Sequence, residues 1–561
     1  MKKALCFLLT VCLAAAALAV PSAAQEAADL RLAVASDLHY NVPGESLIRL
    51  TDDPIFWYAN RRCAMEDESG FIIDEFLNQC AESRPDYVLI PGDLADNGRT
   101  VVQEHLDVAA KFRAFEAATG IPVFVIDGNH DLGENCAVTR KEFKEIYADF
   151  GYDLALETRE EDCSYTANLG EKYRLIALDS CDPSVSTEDG MSAALVRWVK
   201  TQADRAKADG RYPVLMMHHN LLEHMPIQRL INRNFIVRFH NTTAELFADW
   251  GIRTVFTGHE HCCDTAVFTS ALGNKIYDFA DTALTMYPLT YRMISYTDNE
   301  ITYESKTVDK IDTDALTAQV AGYTPEQIDL MNRGLNEYAK GFLKAGFRYR
   351  MVLSLSMEKM GIKESDVYYP LVYKAVTLLT DELDMPLYGE NSVSTIAAKY
   401  GVTLPQTDYK TPWDLAGELL ANHYRGSETC TPESDEVRLL LRTVAVLLRE
   451  ENQALSFASL RDAADALGGA LPPVKALCDV VFDDISSVEY FTTALLAPFL
   501  YEFAFDADGV DDNAGTLEGY AVNNNRANAA NRFKAVMNKL VLYFTMSFRL
   551  LAKAAGKLIG R

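Results

Sequence analysis

From Arg31 to about Lys306, short β-rich apolar runs alternate with polar, helix-compatible stretches. Few architectures accept that alternation: it is the pattern of an α/β domain. The runs are Leu32–Ala35, Tyr87–Ile90, Val123–Ile126, Leu175–Leu178, Val214–Met217 and Thr254–Phe256, followed by Ala266–Phe268, Ile276–Phe279 and Met293–Tyr296. The last three stand close together, with room only for turns between them, and predict antiparallel strands that finish a sheet.

Beyond Asp309 the alternation fades. Pro325–Phe347, Asp366–Leu383, Glu433–Asn452 and Asn531–Leu558 space their apolar residues as helices do, which predicts a mostly α-helical second domain. Two domains also suit 561 residues, because single cores stop growing near ~250–300 residues. The acidic, glycine-containing segment Asp506–Gly515 does not match the EF-hand spacing and reads as a solvated loop.

Lys2 and Lys3, the apolar run Ala4–Val20 and the small residues Ser22, Ala23 and Ala24 form the pattern of a secretory signal cleaved near Ala24. The expected organisation is therefore a signal over 1–24, an α/β domain over 25–308 and a helical domain over 309–561, with the mature chain secreted or extracytoplasmic. The net charge of -27 excludes nucleic acid as a bulk partner. Eleven cysteines include Cys6 and Cys12 in the signal and no CxxC pair, so neither a zinc ribbon nor a dense disulfide framework is indicated.

Five of the apolar runs lead directly into polar clusters: Ser36-Asp37-Leu38-His39, Gly92-Asp93-Leu94-Ala95-Asp96, Gly128-Asn129-His130-Asp131, His218-His219 and Gly258-His259-Glu260-His261. In open α/β sheets the carboxyl ends of the strands share one edge, so clusters distant in sequence converge there. Gly92, Gly128 and Gly258 suit the tight turns and close backbone approach that such loops need. Any one cluster is ordinary as a surface turn or a satisfied core residue; five in this order are not.

The order resembles the signature of the calcineurin-like metallophosphoesterase superfamily, D-x-H, G-D-x-x-D, G-N-H-D/E, H and G-H-x-H, and covers about residues 31–306. The resemblance implies a sandwich of mixed sheets flanked by helices. It implies a first metal held by Asp37, His39, Asp93 and His261, and a second held by Asp93, Asn129, His218 and His259, with Asp93 as the bridge. His130 would lie over the substrate, oriented by Asp96, and the family pattern favours His218 over His219 as the ligand. Imidazole and carboxylate donors suit manganese, iron or zinc. Position 96 is Asp where purple acid phosphatases carry a metal-binding Tyr, which argues against that branch. His224 and His240 lie outside the motifs and read as surface or core histidines.

The implied function is a secreted dinuclear-metal phosphoesterase that cleaves a phosphomonoester or phosphodiester by attack of a metal-bound hydroxide. Its substrate would be a phosphate-ester small molecule, a phospholipid or a wall polymer. One alternative is an extracellular nucleotidase, against which the helical second domain argues. The other is a binding or scaffold protein with a relict site, against which the complete set of ligands argues.

Substrate choice should come from the loops Asn41–Gly70 and Asn220–Thr243. Phe56, Trp57, Tyr58, Arg61 and Arg62 suit the stacking of a base or sugar and the holding of a phosphate, and suit an ordinary packed loop equally well. From Gly519 onward there is no acid, while Arg526, Arg532, Lys534, Lys539, Arg549, Lys553, Lys557 and Arg561 are basic and Leu540–Leu551 is apolar. A terminal helix packed on the acidic body is the favoured reading; contact with an anionic membrane or wall polymer is the other.

Overall fold

A computed structural model describes residues 28–44, 55–181, 191–225, 228, 233–354, 357–358, 360–366, 369–431, 433–450, 504–506, 509–521 and 531–537. The expected signal peptide, the apolar run Leu540–Leu551 and the basic positions 526, 539, 549, 553, 557 and 561 lie outside these residues. The helix expected over Asn531–Leu558 is described for residues 531–537, which are helical.

The first sheet contains β1 (Leu30–Val34), β2 (Tyr87–Ile90) and β3 (Val123–Val125), and the second contains β4 (Ala155–Thr158), β5 (Tyr165–Leu169), β6 (Tyr173–Leu178), β7 (Tyr212–Met217), β8 (Thr254–His261), β9 (Asp264–Thr269) and β10 (Lys275–Thr282). The chain then returns to the first sheet with β11 (Thr290–Tyr296), β12 (Glu300–Thr307) and, much later, β13 (Ala514–Glu518). The strand orders are β13-β12-β11-β1-β2-β3 and β4-β5-β6-β7-β8-β10-β9. Parallel pairs form one end of the first sheet and the middle of the second, with Leu32 opposite Tyr87, Val88 opposite Val123 and Leu215 opposite Val255. The antiparallel finish expected at the end of the domain is present in β9, β10, β11 and β12.

Alternation along the central strands separates two apolar layers. On β7, Val214 and Met216 enter the core between the sheets, while Leu215 and Met217 face a second cluster with Leu195, Val199, Phe247 and Trp250. Those residues come from, or directly follow, helices flanking the second sheet, which include α4 (Ala193–Ala208) and α5 (His240–Asp249). Helices α1 (Ser69–Ser83), α2 (Val102–Thr119) and α3 (Arg140–Ile146) contribute Phe76, Phe112 and Phe143 to the first core. The architecture is a sandwich of mixed sheets flanked by helices.

The C-terminal part is helical. It contains α6 (Thr313–Gln319), α7 (Pro325–Arg333), α8 (Leu335–Ser354), α9 (Tyr369–Thr380), α10 (Val393–Lys399), α11 (Pro412–Arg425) and α12 (Asp435–Arg449). Its cores do not divide at residue 309. Leu316, Met331, Tyr338 and Phe342 join the core of the sandwich, whereas Leu387, Leu415, Val437 and Leu440 form a separate one.

The segment read as a solvated loop, Asp506–Gly515, is only partly so. Asp512 is buried and its carboxylate accepts a hydrogen bond from the Thr265 N–H (2.8 Å), and Ala514 and Gly515 open the edge strand β13. Pairing with β12 supplies the partners that the polar local sequence does not reveal. The eight described cysteines are all free.

Candidate metal centre

The sandwich carries the five polar clusters to one edge. Asp37 and His39 follow β1, Asp93 and Asp96 follow β2, Asn129 and His130 follow β3, His218 follows β7, and His259 and His261 end β8. The turns that present them are costly. Asp37, His39, Asp93, His259 and His261 all have positive φ, between 40° and 71°, in the left-handed region that L-residues avoid at a cost of about 1–2 kcal/mol each. Two glycines are required by space alone: a Cβ at Gly128 would overlap the Asp93 carboxylate, and one at Gly258 would overlap Asp37 and Ser36.

Two groups of donor atoms result. In the first, His39 Nε2 and His261 Nε2 face each other at 3.2 Å, and Asp37 Oδ1 lies 3.2 Å from His261 Nε2 and 3.8 Å from His39 Nε2. In the second, His218 Nε2 lies 2.9 Å from Asn129 Oδ1, 3.1 Å from His259 Nδ1 and 3.3 Å from Asp93 Oδ2. Asp93 Oδ2 is also 3.9 Å from His39 Nε2, so this one oxygen stands between the groups. Its partner Oδ1 is fixed by the His130 N–H at 2.7 Å.

The donor chemistry fits a pair of cations. Asp37 Oδ1 and Asp93 Oδ2 are buried and accept no hydrogen bond, an arrangement that a protein interior tolerates when something else satisfies the charge. His218 Nδ1 lies 3.0 Å from the Pro91 carbonyl, which only accepts, so Nδ1 carries a hydrogen and in the neutral ring it is Nε2 that presents a lone pair to the cluster. Burial opposes the charged form of His218, but Asp93 and Asp37 outweigh it and bring its pKa up to about 9. At His219, burial and the charge of His218 act together and push it down to about 3. His219 turns Nδ1 to the Ser180 hydroxyl at 2.9 Å, and its ring lies 4.5 Å from that of His259.

His130 is half-buried, and its ring meets His39 edge to face at 4.9 Å. Its Nδ1 is 2.8 Å from the main-chain carbonyl of Asp96. The orientation expected from Asp96 therefore comes from its backbone. The Asp96 carboxylate turns elsewhere, with Oδ1 3.2 Å from His39 Nδ1 and Oδ2 in an ion pair with Arg62. Burial would raise the pKa of Asp96, but His39 and Arg62 prevail and hold it down at about 2.

Some organising residues escaped the sequence reading. Asp131 accepts from the Ala95 N–H (3.0 Å) and the Gly128 N–H (2.7 Å), tying the second cluster to the third. Phe235 covers the His259 ring at 4.2 Å. Neither belongs to a ligand pattern, although Asp131 stands in the Gly-Asn-His-Asp run. His224 is a core histidine clamped between Asp264 (2.5 Å) and Asp278 (3.2 Å), and His240 is buried 3.5 Å from Glu223.

Residues 30–263 match the family model described as calcineurin-like phosphoesterase. That stretch of the chain is similar to the calcineurin-like phosphoesterase family. A probable glycerophosphodiester phosphodiesterase, GpdQ, from Arcobacter nitrofigilis is 30% identical to this chain over 153 residues, covering 26% of this chain and 48% of that protein. The chain thus spans about half the length of this relative. A dimetal phosphatase from Danio rerio aligns at 10% identity and a TM-score of 0.37, covering 50% of this chain and 96% of that one. GAP50, the anchor in the inner membrane complex of Plasmodium, aligns at 10% identity and a TM-score of 0.31, covering 50% and 85%.

Proposed function

We propose that the chain is a metal-dependent phosphoric ester hydrolase, exported from the cytoplasm by its N-terminal signal, with a dinuclear centre held by Asp37, His39, Asp93 and His261 on one side and Asp93, Asn129, His218 and His259 on the other. The observation that carries this reading is the pair of buried carboxylate oxygens, Asp37 Oδ1 and Asp93 Oδ2, that accept no hydrogen bond and face converging ring nitrogens. The likeness to a probable glycerophosphodiester phosphodiesterase favours a phosphodiester of a small alcohol. Export rests on Lys2, Lys3 and the apolar run that follows them.

A bound metal pair supplies Lewis-acid polarisation of a phosphoryl oxygen and acidifies water. The chain's own residues do the rest. The Asp96 carbonyl can only accept, so His130 Nδ1 carries a hydrogen and Nε2 is the nitrogen left for substrate. In the imidazolium form, Nε2 hands its proton to the departing alkoxide oxygen; in the neutral form it accepts one. The Asp93 contact with the His130 N–H fixes the loop on which that ring stands.

The test is metal analysis of the full chain after loading with manganese, iron or zinc, combined with a panel of phosphomonoesters and phosphodiesters. Close to two ions per chain and hydrolysis of a diester are expected, and Asp93→Asn should lower turnover by more than about 10²-fold together with metal content. A loaded protein that holds no transition metal, or an Asp93→Asn variant with unchanged metal and turnover, would overturn the assignment.

A further inference from the structure

Arg62 belongs to none of the five clusters, yet its guanidinium reaches the centre of the site. Nη1 pairs with the Asp96 carboxylate and lies 3.4 Å from the Asp96 carbonyl, the same carbonyl that His130 uses. The Arg62 side chain is 31% exposed, against 2% for Asp96, and its other guanidinium nitrogens make no hydrogen bond among the described residues. A guanidinium is a rigid fork of five donors. With one nitrogen committed to Asp96, the remaining donors match the oxygens of a phosphate.

The segment that carries Arg62 is held by α8, from the C-terminal half. The Phe56 ring packs on Tyr338 at 5.7 Å, and a Cβ at Gly341 would overlap it. Tyr58 packs on Phe342 at 5.4 Å. A Cβ at Gly346 would lie 2.7 Å from the Asn60 carbonyl oxygen and 3.2 Å from Cys63 Cα. Asn60 Oδ1 accepts from the Arg62 N–H (3.0 Å) and the Ala64 N–H (3.2 Å), and Cys63 takes a left-handed φ of 64°. Two missing side chains on α8 therefore let the loop lie directly on the helix. The aromatics Phe56 and Tyr58 are packing residues of that contact, while Arg62 turns to Asp96 at the site.

We propose that Arg62 is an anion-binding residue of the phosphoesterase site, holding a phosphate oxygen of the substrate beside His130, and that Gly341 and Gly346 of α8 set its position. This rests on the phosphoesterase reading of the same site. It gives the helical half a role: one of its helices forms the support of the substrate wall. A fixed cation there also suits a chain of net charge -27, whose overall field repels the anion that it must bind.

The test measures inorganic phosphate binding to the metal-loaded full chain by calorimetry, beside KM and kcat for a nitrophenyl phosphodiester. Arg62→Ala should weaken phosphate binding and raise KM by about tenfold or more, with a smaller change in kcat and unchanged metal content. Arg62→Lys should recover part of the loss. Gly341→Ala should weaken phosphate binding in the same direction, and its effect should largely vanish when Arg62 is already Ala. Phosphate affinity and KM unchanged in folded, metal-replete Arg62→Ala would overturn the anion-binding role. A Gly341→Ala effect that persists in full without Arg62 would overturn the positioning role. Phosphate binding does not require turnover, so a loaded protein that binds phosphate through Arg62 but cleaves no ester would defeat the hydrolase reading and leave this one standing.

Discussion

Both regions bury polar atoms without hydrogen bonds, but at the metal edge five of seven candidate ligands sit on left-handed backbone, whereas among the described residues of the helical half Asn391 is the one non-glycine residue with positive φ. There α7 and α11 begin with proline behind capping boxes, Thr324 with Gln327 and Thr411 with Asp414, and α11 ends on left-handed Gly426. Helix α12 buries Val437, Leu439, Leu440, Leu441 and every residue from Thr443 to Leu447. Backbone strain persists only where the surroundings over-determine it, so this contrast in φ separates residues kept for chemistry from residues kept for folding.

The contrast is tested most severely by His130→Ala. Alkyl phosphodiesters, whose leaving oxygen needs a proton, should lose about 10²–10⁴-fold in kcat, while nitrophenyl esters lose far less and metal content and melting stay near those of the parent. An equal loss on both ester types, accompanied by loss of metal, would move His130 to the structural side. Because the Asp96 carbonyl holds the ring, Asp96→Asn should not reproduce this leaving-group dependence.

Next in size is Leu415→Ala in the helical core. It should cost about 2–5 kcal/mol in denaturant melts and leave kcat per folded molecule unchanged. A fall in kcat without a fall in stability would mean that the separation between the two regions is wrong.

A pH effect marks their junction. Burial, reinforced by Asp67, pushes the Glu68 carboxyl up to about 7 against the opposing Tyr323 hydrogen bond. A folded-state pKa above the unfolded one means that this contribution to stability is complete below about pH 4.5 and is lost as pH rises through about 7. Melting temperatures of the wild type should therefore fall relative to those of Glu68→Gln across that window, and parallel curves would refute the burial argument. The smallest effect should come from Thr411→Ala, about 1 kcal/mol through the lost cap, with no change in KM.

The apolar runs made β1, β2, β3, β6, β7, β8 and the later hairpins readable, because strands buried on both faces write a continuous signal. Strand β5 was hidden by Thr166 and Asn168 between Tyr165, Ala167 and Leu169, and β12 by Glu300, Thr302 and Glu304 around Ile301 and Tyr303. The ligand residues were readable because each directly follows such a strand. What pattern could not supply was partnership across the chain: the Asp96 side chain turning to His39 and Arg62, Arg62 itself, and α8 joining the sandwich core instead of its own domain. Local periodicity records how far a residue is buried and says nothing about which distant segment buries it.

Strand β13 carries that lesson into the order of synthesis. Its register with β12 sets Ala514 against Glu304 and Glu518 against Glu300, so the partners are separated by about 210 residues of chain. At ~5–20 residues per second, a ribosome needs roughly 10–40 s between completing β12 and completing β13. Throughout that interval β12 has a bare outer edge with open main-chain donors and acceptors, the kind of edge that recruits other chains. The nascent sheet is therefore finished from behind, by a segment that emerges only after helices α6 to α12 have been made.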